Sequence, residues 1–273
     1  MITDILANFS FLSQWNAGIL LMVLLGTVFY LFLLPSGTNH TVKKTIMFVV
    51  GIVLFYIALG SPLNILGRIL FRAHIIQMII LYLVVAPLFV ISTKSELFAK
   101  LITYSYVKKG YLAITRPIFV ILFFYGLFIF YHIPVLFDFI RMNYTLNYVY
   151  LFVMFIVALL WWSPLFPFTS EVDRLSNTKK LLYIICNLSL FLALSLFFIL
   201  QNNSLYSIYM DFELLMAAIL LCLPAGETIE TLPNDFVETL LPFPPLREQR
   251  IGGVFLLISQ LIWVIPLLVL KRK

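Results

Sequence analysis

PIFVILFFYGLFIFYHIPVL, residues 117–136, runs for twenty positions without an Asp, Glu, Lys or Arg. A helix rises about 1.5 Å per residue, so roughly 20 mostly apolar residues cross the hydrocarbon core of a bilayer. Six further runs of this kind lie outward from it, at 15–34, 45–63, 74–92, 145–162, 181–200 and 251–270. In lipid each backbone must satisfy its own hydrogen bonds, which favours helices, and the ~10-residue alternation of a membrane barrel is absent. The predicted fold is therefore all-α: a polytopic transmembrane helical bundle of seven helices, forming one integral membrane domain over residues 1–273.

Composition agrees. The chain is 63% hydrophobic and 11% charged, against roughly 25% charged residues in soluble domains. The net charge of +6 does not point to nucleic acid, because the charges are spread thinly between apolar runs. In a membrane protein, surplus Lys and Arg mark cytoplasmic loops and anionic headgroups. With the N-terminus outside and the C-terminus inside, Lys43, Lys44, Lys94, Lys100, Lys108, Lys109, Arg116, Arg174, Lys179, Lys180, Lys271, Arg272 and Lys273 fall inside. Arg68, Arg72, Arg141, Arg247 and Arg250 fall outside, a minority the positive-inside rule tolerates. The start of the chain carries Asp4 and no Lys or Arg before Trp15, so it lacks the basic region of a cleaved signal peptide and the first run is read as a mature helix. Cys186 and Cys222 lie at different predicted depths, and no disulfide between them is expected.

The connection 201–250 is long, acidic and predicted to be extracytoplasmic; within it, 214–223 is apolar but too short to cross. It reads as an interfacial or re-entrant helix, or as one packed on the outer ends of the bundle. Trp161 and Trp162, at the end of the fifth run, suit an aromatic-belt anchor. Asp138 and Arg141, one turn apart, read as an exposed loop ion pair, and Asn187 and Gln260 as interhelical hydrogen-bonding groups.

Polar groups in lipid are costly and so mark candidate sites. His74 opens the third run, with Gln77 and Met78 following on the same helical face. His132 lies near the outer end of the fourth run, antiparallel to the third, and Tyr150 reaches about the same level. Imidazole and thioether are suitable copper ligands, and thioether favours the cuprous ion. His74, Met78 and His132 are the candidate metal ligands, as a shallow, open, transfer-competent site with Met142 as an additional soft donor. The structural alternative is that the histidines hydrogen-bond each other, backbone carbonyls or headgroups, and that Met78 fills the core. No phosphate loop, zinc-protease motif or CxxC pair is present, and no buried carboxylate supports a hydrolase triad. A non-enzymatic protein is expected.

Four segments carry a resemblance to a known family. They are Gly60-Ser61-Pro62-Leu63-Asn64 with Ala73-His74-Ile75-Ile76-Gln77-Met78 and Val85-Ala86-Pro87; His132-Ile133-Pro134-Val135-Leu136-Phe137-Asp138; Leu160-Trp161-Trp162-Ser163-Pro164; and Pro245-Leu246-Arg247-Glu248-Gln249-Arg250-Ile251-Gly252-Gly253. In this order they resemble the CtaG family of cytochrome c oxidase assembly factors. The resemblance implies a multipass membrane protein that helps assemble a haem–copper terminal oxidase through copper handling, with respiratory oxidase subunits as partners in a bacterial plasma membrane. The chain departs from the family pattern at Met78, where a second histidine is expected, and at Val149 and Tyr150, where a Glu-His pair is expected. Two readings follow: a softer copper site built on Met78, or a metal-free membrane scaffold or regulatory protein that binds other membrane proteins.

Overall fold

The computed structural model describes residues 2–7, 9–37, 40–221 and 244–271. All regular structure among them is helical. We label the principal helices α1 (Ala17–Leu33), α2 (Val42–Gly60), α3 (Pro62–Ile69), α4 (Phe71–Ser92), α5 (Ser105–Ile114), α6 (Pro117–Tyr131), α7 (Pro134–Arg141), α8 (Tyr144–Trp162), α9 (Asn177–Ile199), α10 (Phe212–Leu220) and α11 (Pro245–Leu270).

Each of the seven predicted runs falls on helix, but not all reach the length of a span. α2, α4, α8, α9 and α11 are long and apolar enough to cross a membrane; α5 and α6 form a pair bent by 58° that supplies a sixth. α1 is apolar but shorter. The fourth predicted run breaks because of Pro134: the residue before it, Ile133, is held extended (ψ 123°), as the proline ring demands. α6 therefore stops at Tyr131, and α7 restarts with Pro134 in its first turn. The same steric rule separates α5 from α6, since Arg116 before Pro117 is extended (ψ 131°).

α4 is the most buried of the long helices and packs against α2, α8 and α11, while α11 also packs on α9 and α6 on α8. The outer faces stay apolar: Val49 and Val53 on α2, Leu122 on α6 and Leu182 on α9 are all exposed. A surface of that kind is solvated by lipid, and with several apolar helices the chain is a multi-pass membrane protein.

Trp161 and Trp162 are not belt anchors. Both are fully buried, because each indole N–H meets a polar partner inside the bundle. Trp161 donates to Asn187 Oδ1 at 2.7 Å, and Trp162 to the carbonyl of Tyr82 at 2.8 Å. The second bond follows from Pro87. Residues 79–85 form a π-helical turn in which the Ala86 N–H bonds to the Leu81 carbonyl, five residues back. The next carbonyl, Tyr82, would pair with the amide of residue 87, but proline has none. The indole of Trp162 takes that place.

Asn187 thus bonds between helices as expected, also accepting from the Tyr125 hydroxyl through its backbone carbonyl at 3.0 Å. The Gln260 amide nitrogen has no partner among the described residues. Asp138 and Arg141 do not form an exposed loop pair. Arg141 is 1% exposed and donates to the Gly67 carbonyl. Asp138 accepts the backbone N–H groups of Ser207 and Ile208 at 3.0 and 3.2 Å, because α7 folds back under the segment that follows α9. α10 packs its buried face, Leu215, Met216 and Ile219, against Ile65 and Ile69 of α3 together with Ile5 and Phe9. Cys186 is a free, exposed thiol; Cys222 and Leu223, the last two residues of the apolar stretch 214–223, lie outside the described residues.

Candidate functional site

Chain connectivity brings one set of helix ends together. α2 ends at Gly60, α4 begins at Phe71, α6 ends at Tyr131, α8 begins at Tyr144, α9 ends at Ile199 and α11 begins at Pro245. His74, in the first turn of α4, and His132, the residue that caps the end of α6, meet here with ring centroids 5.9 Å apart.

The aromatic residues around them form a box that no local pattern in the sequence announces. Tyr131 stacks on His74 at 5.4 Å, Phe128 stacks on His132 at 4.3 Å, and Phe71, Phe137 and Phe198 fill the remaining sides. Tyr206, from the segment after α9, lies 4.1 Å from Phe137 and donates to the His132 carbonyl at 3.3 Å. His74 is therefore 0% and His132 7% exposed. The open, shallow site expected from sequence is closed in this structure, because the bend at Ile133 and the turn around Tyr206 fold aromatic rings over the imidazoles.

The polar atoms of the two rings are poorly satisfied. His132 Nδ1 lies 2.7 Å from the Phe128 carbonyl; a carbonyl only accepts, so Nδ1 carries the proton and Nε2 keeps its lone pair. Nε2 of His132 and both ring nitrogens of His74 are buried without a hydrogen-bond partner. An imidazole anchored through one N–H to a carbonyl, with the other nitrogen bare, is the usual state of a metal-ligating histidine.

Met78 is buried one turn deeper on α4 and lines a small cavity of about 10 Å3 with Tyr82, Phe124, Phe128 and Phe191. Met142, the proposed additional donor, is 40% exposed at the end of α7. Tyr150 does approach the cluster, its ring 4.7 Å from Tyr131, whereas Val149 faces outward. Among the described residues, no group of three or more His, Cys, Asp or Glu side chains could hold a metal. The donors at hand are two imidazoles, with a thioether close by on the same helix.

Gln77, on the same helix, donates to the Ala58 carbonyl at 2.7 Å and to Asn64 Oδ1 at 3.2 Å, tying α4 to α2 and α3. The segment at the start of α11 closes the box from the other side. Glu248 is buried against Arg72 at 3.2 Å, Gln249 accepts the Leu205 N–H at 3.0 Å, and Arg250 donates to the Gln201 carbonyl at 2.8 Å. Gly252 and Gly253 then let α11 touch both neighbours. A Cβ on Gly252 would lie 2.8 Å from Phe71, and one on Gly253 would lie 3.0 Å from the Ser195 carbonyl oxygen.

No curated protein and no solved structure matches the chain. A family model does, over residues 27–272, and it describes a cytochrome c oxidase caa3 assembly factor.

Proposed function

The chain belongs to the cytochrome c oxidase caa3 assembly factor family, and from that membership we propose that it carries cuprous ion, as cargo, toward a haem–copper terminal oxidase. His74 and His132 are the ligands, with Met78 as the soft donor next to them on α4. One observation carries the reading: three ring nitrogens on two imidazoles 5.9 Å apart are buried with nothing to bond. Leaving buried polar atoms unsatisfied costs roughly 1–3 kcal/mol each, a cost that a bound soft cation offsets. Membership in an assembly-factor family suggests a non-catalytic role.

The site belongs on the extracytoplasmic face of a bacterial plasma membrane, with the N-terminus outside. Support comes from four of the five arginines that the charge rule leaves outside. Arg68 and Arg141 are buried, Arg72 pairs with Glu248 and Arg250 bonds to Gln201, so these side chains are committed within the fold rather than acting as free loop charges.

The closure of the site favours a second reading, a metal-free scaffold that holds oxidase subunits or other membrane proteins during assembly. Complementation separates the two. In a deletion strain, oxidase activity and the haem a difference spectrum are measured for His74→Ala and His132→Ala, with and without added copper. Copper delivery predicts loss of oxidase with each variant and loss of cuprous ion from the purified protein in a chelator competition. Full maturation with both histidines removed would sink it and leave the scaffold.

A further inference from the structure

At the end of the bundle opposite the histidines, Ile114-Thr115-Arg116-Pro117 makes an elbow. Pro117 holds Arg116 extended, and α5 turns away from the line of α6 by 58°. The turn leaves a cleft of about 1060 Å3 between the elbow, α6 and the start of α9. Ligand sites commonly measure roughly 300–1,000 Å3, so the space admits a large molecule. The walls are apolar: Ile118, Leu122 and Leu182 line it and are exposed. Tyr183, also in the lining, has its hydroxyl committed to the Trp161 carbonyl at 2.6 Å.

The charged residues of the lining are Arg116 and Lys179, in the elbow and in the first turn of α9. Both are exposed and, among the described residues, neither side chain has a hydrogen bond or an ion pair. The acids nearby are taken, Asp173 by Lys180 at 2.8 Å and Glu171 by Lys108 at 2.9 Å. Arg174 adds a third positive charge, donating to Thr115 Oγ1 at 3.1 Å. Burial, and then the like charge of Arg116, pulls its guanidinium below the usual range. An apolar cleft open to lipid takes a hydrocarbon chain, and unpaired cations at its mouth attract an anionic headgroup.

We propose that this cleft holds one anionic phospholipid, an acyl chain against α6 and α9 and the phosphodiester on Arg116 and Lys179. Arg116 brings the planar fork that matches two phosphate oxygens, and Lys179 a mobile ammonium. A zwitterionic lipid fits the same walls, but its own cationic group opposes these two. Nothing in this assignment depends on copper or on the histidines.

Cys186 reports occupancy, because its free, exposed thiol lines the cleft. The full chain, carrying Cys222→Ser so that Cys186 is the one thiol, is purified and delipidated in detergent. Its reaction with N-ethylmaleimide is timed in mixed micelles. Phosphatidylglycerol should slow the reaction saturably, and phosphatidylcholine with the same chains should not do so at the same mole fraction. Arg116→Gln with Lys179→Gln should weaken that protection roughly thirtyfold, two charges at the scale each contributes beside an anionic lipid. Neither side chain bonds within the described fold, so the variant keeps its structure. Lys43→Gln with Lys44→Gln removes the same charge elsewhere at that end, at the start of α2, and should leave protection unchanged. No protection by phosphatidylglycerol, equal protection by phosphatidylcholine, or an equal loss in both double variants would overturn the proposal.

Discussion

A buried imidazole among aromatic rings is easily imitated by another ring. His74 has Phe71, Tyr131 and Phe137 around it, and neither ring nitrogen makes a hydrogen bond of good geometry, although the Gln77 side chain is near. Replacing an unsatisfied polar group by an apolar one of similar shape is neutral or stabilising. His74→Phe should therefore hold or raise the unfolding temperature in detergent, by the equivalent of roughly 1 kcal/mol, while oxidase maturation falls. A stable variant that still matures the oxidase would count for the scaffold. Asp138 offers a pH test. Burial pushes its carboxyl above the usual range, and the amides of Ser207 and Ile208 only partly oppose that. A carboxyl with a raised folded-state pKa binds its proton more tightly in the folded protein, so its destabilising contribution is present above that pKa and disappears as the pH falls below the unfolded value. Acidification through the carboxylate range should thus stabilise the wild type relative to Asp138→Asn in parallel melts. The sequence placed His74 and His132 at one depth, which is how they meet. It could not place the rings around them: Phe137, Phe198 and Tyr206 come from separate segments, and contacts between distant segments leave no local periodicity.

Helices in this protein are joined by exchanging backbone partners as well as by packing. Pro87 removes an amide and Trp162 returns a donor from α8. Trp162→Phe should cost roughly 1–3 kcal/mol, the penalty of an orphaned buried carbonyl. Pro87→Ala restores an amide at the right position, so the double mutant should recover part of that loss, with a coupling of roughly 0.5–3 kcal/mol in a thermodynamic cycle. Simple additivity would refute the exchange. Gly253→Ala probes the other close contact. Its Cβ would sit 3.0 Å from both the Ser195 oxygen and Phe198 Cβ, and overpacking of this kind costs roughly 1–3 kcal/mol, readable as a lower melting temperature. Element positions were legible to within a few residues, 74–92 against Phe71–Ser92 and 181–200 against Asn177–Ile199, because hydropathy marks where a run of helix lies. Hydropathy does not see a proline's effect on the residue before it, so the apolar run 117–136 gives no sign of the break after Tyr131 that Pro134 imposes.

At the scale of the whole molecule, the two ends of the bundle differ in what their charges do. One end holds buried arginines bonded to Gly67 and Arg141. The other pairs lysines with carboxylates, Lys108 with Glu171 at the surface and the buried Lys180 with Asp173, and buries Lys94 against the Leu34 carbonyl. In a cysteine-free background, Lys109→Cys should react with a membrane-impermeant maleimide only after permeabilisation, and Arg247→Cys in intact cells; the opposite pattern would invert the topology. The charge bias was readable from the chain, whereas the burial of Arg68 and Arg141 was not, since a charged residue between apolar runs looks like loop until tertiary contacts enclose it. Enclosure also sets a tempo. His74 packs against Phe137, which packs in turn on Tyr206, so the proposed cargo role requires these rings to move for an ion to reach the imidazoles. The amides of Ser207 and Ile208 on Asp138 fasten the segment after α9 together with the Leu205 N–H on Gln249 and the Tyr206 hydroxyl on the His132 carbonyl, so hydrogen exchange at those three amides in heavy water reports its opening. Under the proposed cargo role, residence time at the histidines is set by this cover, and a partner that takes the cargo is expected to hasten exchange at those amides.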